Sequence, residues 1–235
     1  MKRSDESVRH FRLEQIFRAA IMGEVKFLRR AAVVFCLIAT ADAAVILNQI
    51  ETFSAQNGWD SGDPNPNPPL IAANAGPLGS GDSALRVTSN GGTGPGSRLI
   101  VFNTTAWTGD YLATGILALA ADLRNSGSTS LSMRVAFDGP GGKFVSAPVV
   151  ITAFSGWGHA VFDINPASLI GAGGSNAAAT LAGVTELRFL HSSTVDYRGA
   201  QISSGFLVDN IQAVPEPATA ALFCLAGAMF LFRKR

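Results

Sequence analysis

The feature that most restricts the fold of this 235-residue chain is a short alternation of apolar and polar residues in its middle part. The segment LSMRVAFD (131–138) shows it best, because every second residue is apolar: Leu131, Met133, Val135 and Phe137. Successive side chains of a β-strand point to opposite faces of a sheet. This alternation therefore predicts a half-buried β-strand at 131–138.

Further short segments of the middle part have strand-like composition, and clusters of Gly, Pro, Asn, Asp and Ser separate them as turns require. TGILALAADLR is also rich in the helix formers Ala and Leu, but Gly115 and its strand-like neighbours favour a strand. Nine short strands without a clear long helix predict an all-β fold, an antiparallel β-sandwich or jelly roll, over residues 44–213. The eight further segments are AVILNQIETF (44–53), SALRVTSN (83–90), SRLIVFN (97–103), TGILALAADLR (114–124), KFVSAPVVI (143–151), HAVFDI (159–164), VTELRFLH (184–191) and GFLVDNIQ (205–212).

Charge is distributed unevenly along the chain, although the formal net charge is only +1. Residues 1–43 carry eight Lys/Arg and five Asp/Glu, and residues 215–235 carry three and one. Residues 44–214 carry seven Lys/Arg against eleven Asp/Glu. Nucleic-acid binding requires a basic surface, so this acidic middle part argues against a nucleic-acid partner.

The N-terminal segment has the three parts of a secretory signal peptide. The cationic segment GEVKFLRR (23–30) precedes the apolar run AAVVFCLIATA (31–41), and Ala41-Asp42-Ala43 offers small residues to a signal peptidase. This layout predicts export with cleavage after Ala43. Met22 begins a signal peptide of normal length, so we expect translation to start there.

The C-terminal segment predicts a single membrane helix. Residues 218–232 contain no charge, and as a helix of 15 residues they would be about 22 Å long, which is short for a hydrocarbon core of ~30 Å. Arg233, Lys234 and Arg235 would remain on the cytoplasmic side as a membrane stop. The middle domain would then lie outside the cell membrane.

Val214-Pro215-Glu216-Pro217 precede the apolar run and the basic cluster. This order of features, over residues 214–235, resembles the PEP-CTERM sorting signal of Gram-negative bacteria. The resemblance implies that an exosortase recognises Pro215, Glu216 and Pro217 and removes the tail. The protein would be held transiently in the inner membrane and then reach the cell surface or an exopolysaccharide matrix.

The middle domain contains Glu51-x-Phe53, then Gly58-Trp59, and a last predicted strand FLVDNI (206–211). In these features it resembles the galactose-binding-like jelly rolls of many carbohydrate-binding modules. In such modules acidic residues near the first and last strands often hold a structural calcium, so the resemblance implies Glu51 and Asp209 as metal ligands. Calcium binds six to eight oxygens, including backbone carbonyls. The alternative is that Asp209 only caps or pairs at a strand end.

Aromatic residues beside Gly, Asp and Thr are the candidates for carbohydrate binding, because flat rings can contact the apolar face of a sugar. The candidates are Trp59, Trp107, Tyr111 and Trp157. The alternative is that each fills the core of the sandwich. The Pro- and Gly-rich segment 59–82 is expected to be a rigid surface loop, with calcium binding by its aspartates as the alternative.

The sequence offers little support for catalysis. His159 and His191 are far apart in the chain, no G-x-S-x-G segment is present, and no pair of carboxylates stands out. A Ser-His-Asp triad assembled in space stays open at this point. We therefore expect a non-enzymatic exported protein that binds polysaccharide. The alternatives are a polysaccharide-acting enzyme on the same fold and a purely structural or adhesive surface protein.

Overall fold

The computed structural model describes residues 44–215, and they form an antiparallel β-sandwich. This confirms the predicted fold class for the middle part of the chain. The described residues contain thirteen strands and one short helix: β1 Ile50–Glu51, β2 Trp59–Asp60, β3 Leu70–Ala72, β4 Ala84–Asn90, β5 Ile100–Asn103, β6 Ala118–Asn125, β7 Leu131–Asp138, β8 Phe144–Val145, β9 Val149–Ile151, β10 Gly158–Asp163, β11 Ile170–Gly171, α1 Ala177–Leu181, β12 Glu186–His191 and β13 Ser203–Val214.

The strands form two sheets. The first sheet has the order β10-β6-β13-β4-β3, with β1 also paired to β13. The second sheet has the order β11-β8-β7-β12-β5-β2, with β9 also paired to β7. All of these ladders are antiparallel. The main strands β4, β5, β6, β7, β10, β12 and β13 alternate between the sheets along the chain, as in a jelly roll.

The core lies between the sheets and is rich in aromatic residues. Trp59 packs against Phe53 and Phe189, with ring centroids 6.0 and 5.9 Å apart. Phe162 of the first sheet meets Phe189 of the second edge-on at 5.8 Å. Tilted and edge-on pairs at these distances are the geometry that aromatic rings prefer. Burial of these rings joins the two sheets into one structural unit.

Strand β7 is buried more completely than its alternation predicts. Met133, Val135 and Phe137 face the main core as expected, but Arg134 and Ala136 on the other face are buried too. A second apolar cluster covers that outer face; it comprises Ile100, Ala136, Val145, Leu190 and Tyr197. The prediction of a half-buried strand was therefore wrong about exposure. The covering residue Tyr197 comes from a loop about sixty residues away, which no local pattern reveals.

Two other segments differ from their sequence-based predictions. Residues 44–53 form only the two-residue strand β1, because Asn48 and Phe53 have positive φ values of 64° and 50° that interrupt an extended chain. The segment 59–82, expected to be a surface loop, contributes the strands β2 and β3. It is thus part of both sheets near their edges.

The last strand reaches the first residue of the predicted sorting motif. Val214 ends β13, its carbonyl accepts a hydrogen bond from Leu117 N at 3.2 Å, and Pro215 follows as an exposed residue. The predicted signal peptide (1–43), Glu216 and Pro217 of the motif, the predicted membrane helix (218–232) and the basic stop lie outside the described residues. Within residues 44–215, no helix has the length and apolarity needed to cross a membrane.

Candidate functional site

The structure places three of the four aromatic candidates in the core. Trp59, Trp107 and Tyr111 are at most 1% exposed. Tyr111 packs edge-on against Phe137 at 5.5 Å, and its hydroxyl donates to Trp107 O at 2.9 Å. A ring enclosed in this way offers no face to a sugar. The interpretation of these three residues as a carbohydrate site is therefore corrected: they stabilise the fold by burial.

Trp157 is the one aromatic candidate with solvent access. It is partly buried just before β10, at the edge of the first sheet, and its indole N–H donates to Ala75 O at 3.2 Å. The structure does not bring it together with Trp59, Trp107 or Tyr111, which are enclosed between the sheets. Its role in carbohydrate binding stays a prediction.

Glu51 and Asp209, the predicted calcium ligands, lie on the paired strands β1 and β13. Glu51 is 8% exposed, and its Oε1 accepts hydrogen bonds from Phe53 N at 3.3 Å and Asn57 Nδ2 at 2.8 Å. Asp209 is fully buried, and its Oδ1 accepts from Asn210 N at 2.8 Å. Its Oδ2 has no hydrogen-bond partner among the described residues. A buried carboxylate oxygen without a donor is costly unless a cation or a proton occupies it.

Burial raises the pKa of Asp209 to about 6. The Asn210 N–H lowers the pKa, while the carboxylates of Asp82, Asp122 and Glu51 raise it further. These carboxylates give the surroundings of Asp209 the negative charge that a bound cation needs. However, no group of three or more His, Cys, Asp or Glu side chains within residues 44–215 is arranged to hold a metal ion. Calcium at Glu51 and Asp209 would need carbonyls and water for its remaining ligands.

The histidines do not form part of a catalytic triad in the described part of the chain. His159 Nδ1 lies 3.0 Å from Asp122 Oδ1 on the surface of the first sheet, whereas His191 Nδ1 accepts from Ser132 N at 2.9 Å in the second. No serine hydroxyl in residues 44–215 forms a hydrogen bond to either ring. The geometry thus holds a His-Asp pair without the nucleophile that a triad requires.

A concave groove lies on the outer face of the second sheet. Its volume is about 370 Å³, within the range of small-ligand sites. Its floor is Ile100 and Phe102 of β5 together with Arg188 of β12. Val101 and Phe189, the neighbours of these residues in the strands, face the main core. The side chains of the floor therefore point outward. We call this site the arginine groove.

Arg188 is held in the floor by stacking and hydrogen bonds. Its guanidinium lies 3.9 Å from the centroid of the Tyr197 ring and 5.4 Å from that of Phe102. Its Nε donates to Glu186 Oε1, and its NH1 donates to Tyr197 O at 3.1 Å. Cation–π contacts and charge-assisted hydrogen bonds of this kind fix an arginine in one orientation. The floor thus presents a preorganised cation next to an apolar surface.

Two more arginines stand at the walls of the arginine groove. Arg98 NH1 donates to Gly199 O at 2.9 Å and lies 3.9 Å from Asp196 Oδ2, so it links the start of β5 to the segment after β12. Arg198 lies in that segment and is exposed. Within residues 44–215, no carboxylate lies within salt-bridge distance of Arg198. The three cations of the groove therefore differ in how firmly their contacts hold them: Arg188 most, Arg98 less and Arg198 least.

The rim of the arginine groove consists of two loops held tightly together. Gly96 N donates to Ser61 O at 2.8 Å, and Asn67 Nδ2 donates to Gly96 O at 3.0 Å. Gly96 has a φ of 64°, and a Cβ at this position would overlap the side chain of Asn65. Only glycine combines this backbone conformation with so close an approach. A second depression, of about 430 Å³, shares Gly94 and Pro95 with the first, so the concave surface continues beyond the rim.

The sequence-based reasoning missed the arginine groove because its residues are distant in the chain. Arg98, Arg188 and Arg198 come from two segments that the sheet brings together through the β5–β12 pairing. One signal was present. In ELRFLH the apolar Leu187 and Phe189 flank Arg188, which predicts that Arg188 faces outward from a strand.

Comparisons with known proteins give the fold and no family. No protein-family model matches the chain, and no curated protein matches it. Among solved structures, an exo-β-agarase superposes with a TM-score of 0.51 at 12% identity; the match covers 72% of this chain and 25% of that one. At this identity the likeness is one of fold, found in a part of a much longer protein.

Other structural neighbours have lower scores. A family 11 carbohydrate-binding module from Clostridium thermocellum, in complex with a β-1,3-1,4-mixed-linked tetrasaccharide, gives a TM-score of 0.45 at 16% identity, covering 73% of this chain and 97% of that one. A family 30 carbohydrate-binding module of a Clostridium thermocellum cellulosomal cellulase gives 0.40 at 12% identity, covering 74% and 96%.

Proposed function

We propose that this chain is an exported, non-catalytic protein that binds polysaccharide through the arginine groove. The observation that carries the proposal is the groove itself: an open concave surface on the sheet, whose apolar floor is the partly exposed ring of Phe102 and the largely buried Ile100, beside fixed hydrogen-bond donors. Apolar contact with a few oriented polar groups is how concave sites recognise small organic ligands. The adjoining depression would extend such contacts along a sugar chain.

Binding rather than catalysis fits the chemistry of the lining. None of the described residues that line the arginine groove carries a carboxylate, whereas glycoside hydrolysis ordinarily uses two. Export is supported by the signal-peptide pattern of residues 1–43 and by the motif at 214–217. In this proposal signal peptidase and an exosortase process the ends, and the product is the domain at the cell surface or in an exopolysaccharide matrix.

A glycan-binding measurement with a groove-blocking variant tests the binding proposal. Gly94 lies at the edge of both depressions, its φ is not in the left-handed region, and a Cβ there would meet no atom within 4 Å. Gly94→Trp should therefore leave the melting temperature unchanged and weaken binding to an immobilised polysaccharide panel about tenfold or more, which is ~1.4 kcal/mol. Affinity electrophoresis on the full chain in mild detergent is a suitable measurement.

Gly156→Trp is the matched control, because Gly156 also has open space at its Cβ but lies beside Trp157 rather than in the arginine groove. It should bind like the wild type. Loss of binding in Gly156→Trp but not in Gly94→Trp would move the site to Trp157. Absence of binding to every polysaccharide would favour the structural or adhesive alternative, and release of reducing sugars would favour the enzymatic one.

Export and sorting have a separate test in cells that contain an exosortase. Replacing Pro215-Glu216-Pro217 with alanines should leave a membrane-retained form that keeps its C-terminal tail, because the processing enzyme would lack its recognition motif. The measurement is fractionation with mass spectrometry of both termini. Normal processing of this variant would refute the sorting proposal, while the binding proposal would be unaffected.

A further inference from the structure

We propose that the arginine groove binds an anionic sugar, a uronate or a sulfate ester, so that the ligand is an acidic polysaccharide. This inference rests on the proposed function and specifies its ligand class. It starts from the charge of the lining, which includes Arg98, Arg188 and Arg198 and no carboxylate among the described residues. Arg188 and Arg98 are paired with Glu186 and Asp196, which lie outside the lining, whereas Arg198 has no such partner among the described residues. The lining therefore keeps a positive charge that an anion would neutralise.

The fixed arginines keep unused donors. A guanidinium has five N–H donors in a planar fork. Arg188 donates from Nε and NH1, and so does Arg98, whose Nε donates to Thr93 O at 3.5 Å. The second terminal nitrogen of both residues has no partner among the hydrogen bonds of the described residues. This free nitrogen can donate a charge-assisted hydrogen bond to an oxygen of a carboxylate or sulfate, and such a bond is stronger than one to a neutral sugar hydroxyl.

The side chain of Arg198 does not hold other segments in place, unlike the side chains of Arg98 and Arg188. Its side chain forms no hydrogen bond or ion pair within the described part of the chain; only its backbone N–H is engaged, with Asp196 Oδ1 at 2.8 Å. The hydrogen bonds that Arg98 and Arg188 form with neighbouring segments explain the presence of these two residues without a ligand. They do not explain the presence of Arg198. An exposed cation at the wall of a groove is positioned to meet an incoming anion.

The second sheet concentrates the cations of an acidic domain. Five of the seven Lys/Arg residues between 44 and 214 lie on its strands or adjoining segments: Arg98, Arg134, Lys143, Arg188 and Arg198. Only Arg86 and Arg124 belong to the first sheet. Arg134 is buried, so four of these cations reach the surface, beside Asp60, Asp138, Glu186 and Asp196 of the same sheet. The second sheet is therefore less acidic than the first, which would orient the domain toward a polyanion.

Four carboxylates near the arginine groove are already engaged, whereas Asp63, exposed between the lining residues Gly62 and Pro64, forms no hydrogen bond or ion pair within residues 44–215. Glu186 binds Arg188, and Asp196 lies 3.9 Å from Arg98. Asp138 lies 3.6 Å from Lys143, and Asp60 Oδ1 accepts hydrogen bonds from Ser61 N at 2.6 Å and Gly62 N at 3.3 Å. None of these four residues lines the groove. They fix the cations and rim loops in place and leave Arg198 as the cation of the lining without an ion-pair partner among the described residues.

The test measures binding of the full chain in mild detergent to four immobilised polymers. Polygalacturonate supplies carboxylates, chondroitin sulfate supplies sulfates together with carboxylates, and agarose and mixed-linkage β-glucan are neutral. Poly-glutamate is the control for a polyanion without sugar. Affinity for at least one acidic polysaccharide should exceed that for both neutral ones and for poly-glutamate. It should fall when NaCl is raised from ~0.1 M to ~1 M, which shortens the Debye length from ~10 Å to ~3 Å.

Arginine variants test which cation contributes to binding of the acidic polysaccharide. Arg198→Gln should weaken binding of the preferred acidic polysaccharide about tenfold, the effect of losing one charge-assisted contact. Arg86→Gln and Arg124→Gln are matched controls on exposed residues of the first sheet, with the same change in net charge and no expected effect. Equal melting temperatures for the three variants would show that the differences do not arise from unfolding.

The outcomes separate this inference from the proposed function. Groove-dependent binding of a neutral polysaccharide, unaffected by Arg198→Gln, would overturn the inference and keep the proposed function. Equal binding to poly-glutamate, or equal weakening by all three arginine variants, would overturn the inference in favour of unspecific attraction. Absence of binding to every polymer would overturn both. Preference for polygalacturonate would support a uronate ligand, and a preference for chondroitin sulfate that survives reduction of its carboxylates would support a sulfate.

Discussion

At the residue scale, Asp209 is a buried carboxylate whose charged form is disfavoured by its surroundings. Its pKa is about 6 in the folded protein against an ordinary value of 3.8. The folded state therefore binds a proton more tightly than the unfolded state does between these two values. The contribution of Asp209 to stability is consequently most favourable below about pH 4 and is lost as the pH rises through about 6.

The first prediction follows from this sign. Without divalent cations, Asp209→Asn should be more stable than the wild type at pH 7, by up to ~3 kcal/mol, and the difference should disappear near pH 4. Urea unfolding at several pH values measures it. Asp63→Asn, on an exposed loop residue, is the control for the removal of one carboxylate. A variant less stable than the wild type at pH 7 in chelator would contradict the account.

If Asp209 is a calcium ligand, calcium should stabilise the wild type but not Asp209→Asn. A ligand at 100 times its dissociation constant stabilises the folded state by ~2.7 kcal/mol. Adding calcium should then raise the melting temperature of the wild type and leave that of Asp209→Asn unchanged. An equal response of both proteins, or of neither, would remove Glu51 and Asp209 from the account as a calcium site.

The burial of Trp59, Trp107 and Tyr111 shows a limit of reasoning about single residues. Small polar neighbours in the sequence suggested loops open to solvent, and the neighbours do lie near turns. The rings nevertheless point inward, because filling the space between two sheets with large apolar side chains stabilises the fold more than exposing them to water. The rings of Trp59 and Trp107 are buried although their indole N–H groups have no hydrogen-bond partner among the described residues.

At the element scale, local sequence patterns predicted the positions of the main strands. They did not predict the short edge strands or the residues that cover the outer face of the second sheet. The segments 83–90, 131–138 and 184–191 became β4, β7 and β12 because alternation is a local consequence of strand geometry. The strand β3 was missed because its segment is dominated by Pro and Gly, and its pairing with β4 is a long-range contact. The arginine groove was missed for the same reason: it exists only through the pairing of β5 with β12.

The second prediction concerns the rim loops. Gly96→Ala should destabilise the protein by ~1–3 kcal/mol, because it forces an L-residue into a positive φ and against Asn65. It should also weaken glycan binding, since the rim would move. Thermal unfolding and affinity electrophoresis measure the two effects. Gly94→Ala, two residues earlier with open space at its Cβ, is the control and should change stability by less than ~0.5 kcal/mol. Equal stability of both variants would contradict the description of the rim.

At the scale of the whole molecule, the two sheets present different charges. The strands and adjoining segments of the first sheet carry two cations against five carboxylates, Glu51, Asp82, Asp122, Asp163 and Asp209. Those of the second sheet carry five cations against Asp60, Asp138, Glu186 and Asp196. A protein that approaches a polyanionic matrix would turn its second sheet toward it. This asymmetry is invisible in the net charge of the chain and becomes visible only through the topology.

The central claim is that polysaccharide binds on the outer face of the second sheet, at the arginine groove. Amide hydrogen exchange of the full chain, with and without the polysaccharide that binds most tightly, tests it directly. Slowed exchange should be confined to residues 61–67, 93–102 and 186–200. Protection confined to the segment around Trp157 and β10, or to the outer face of the first sheet, would contradict it.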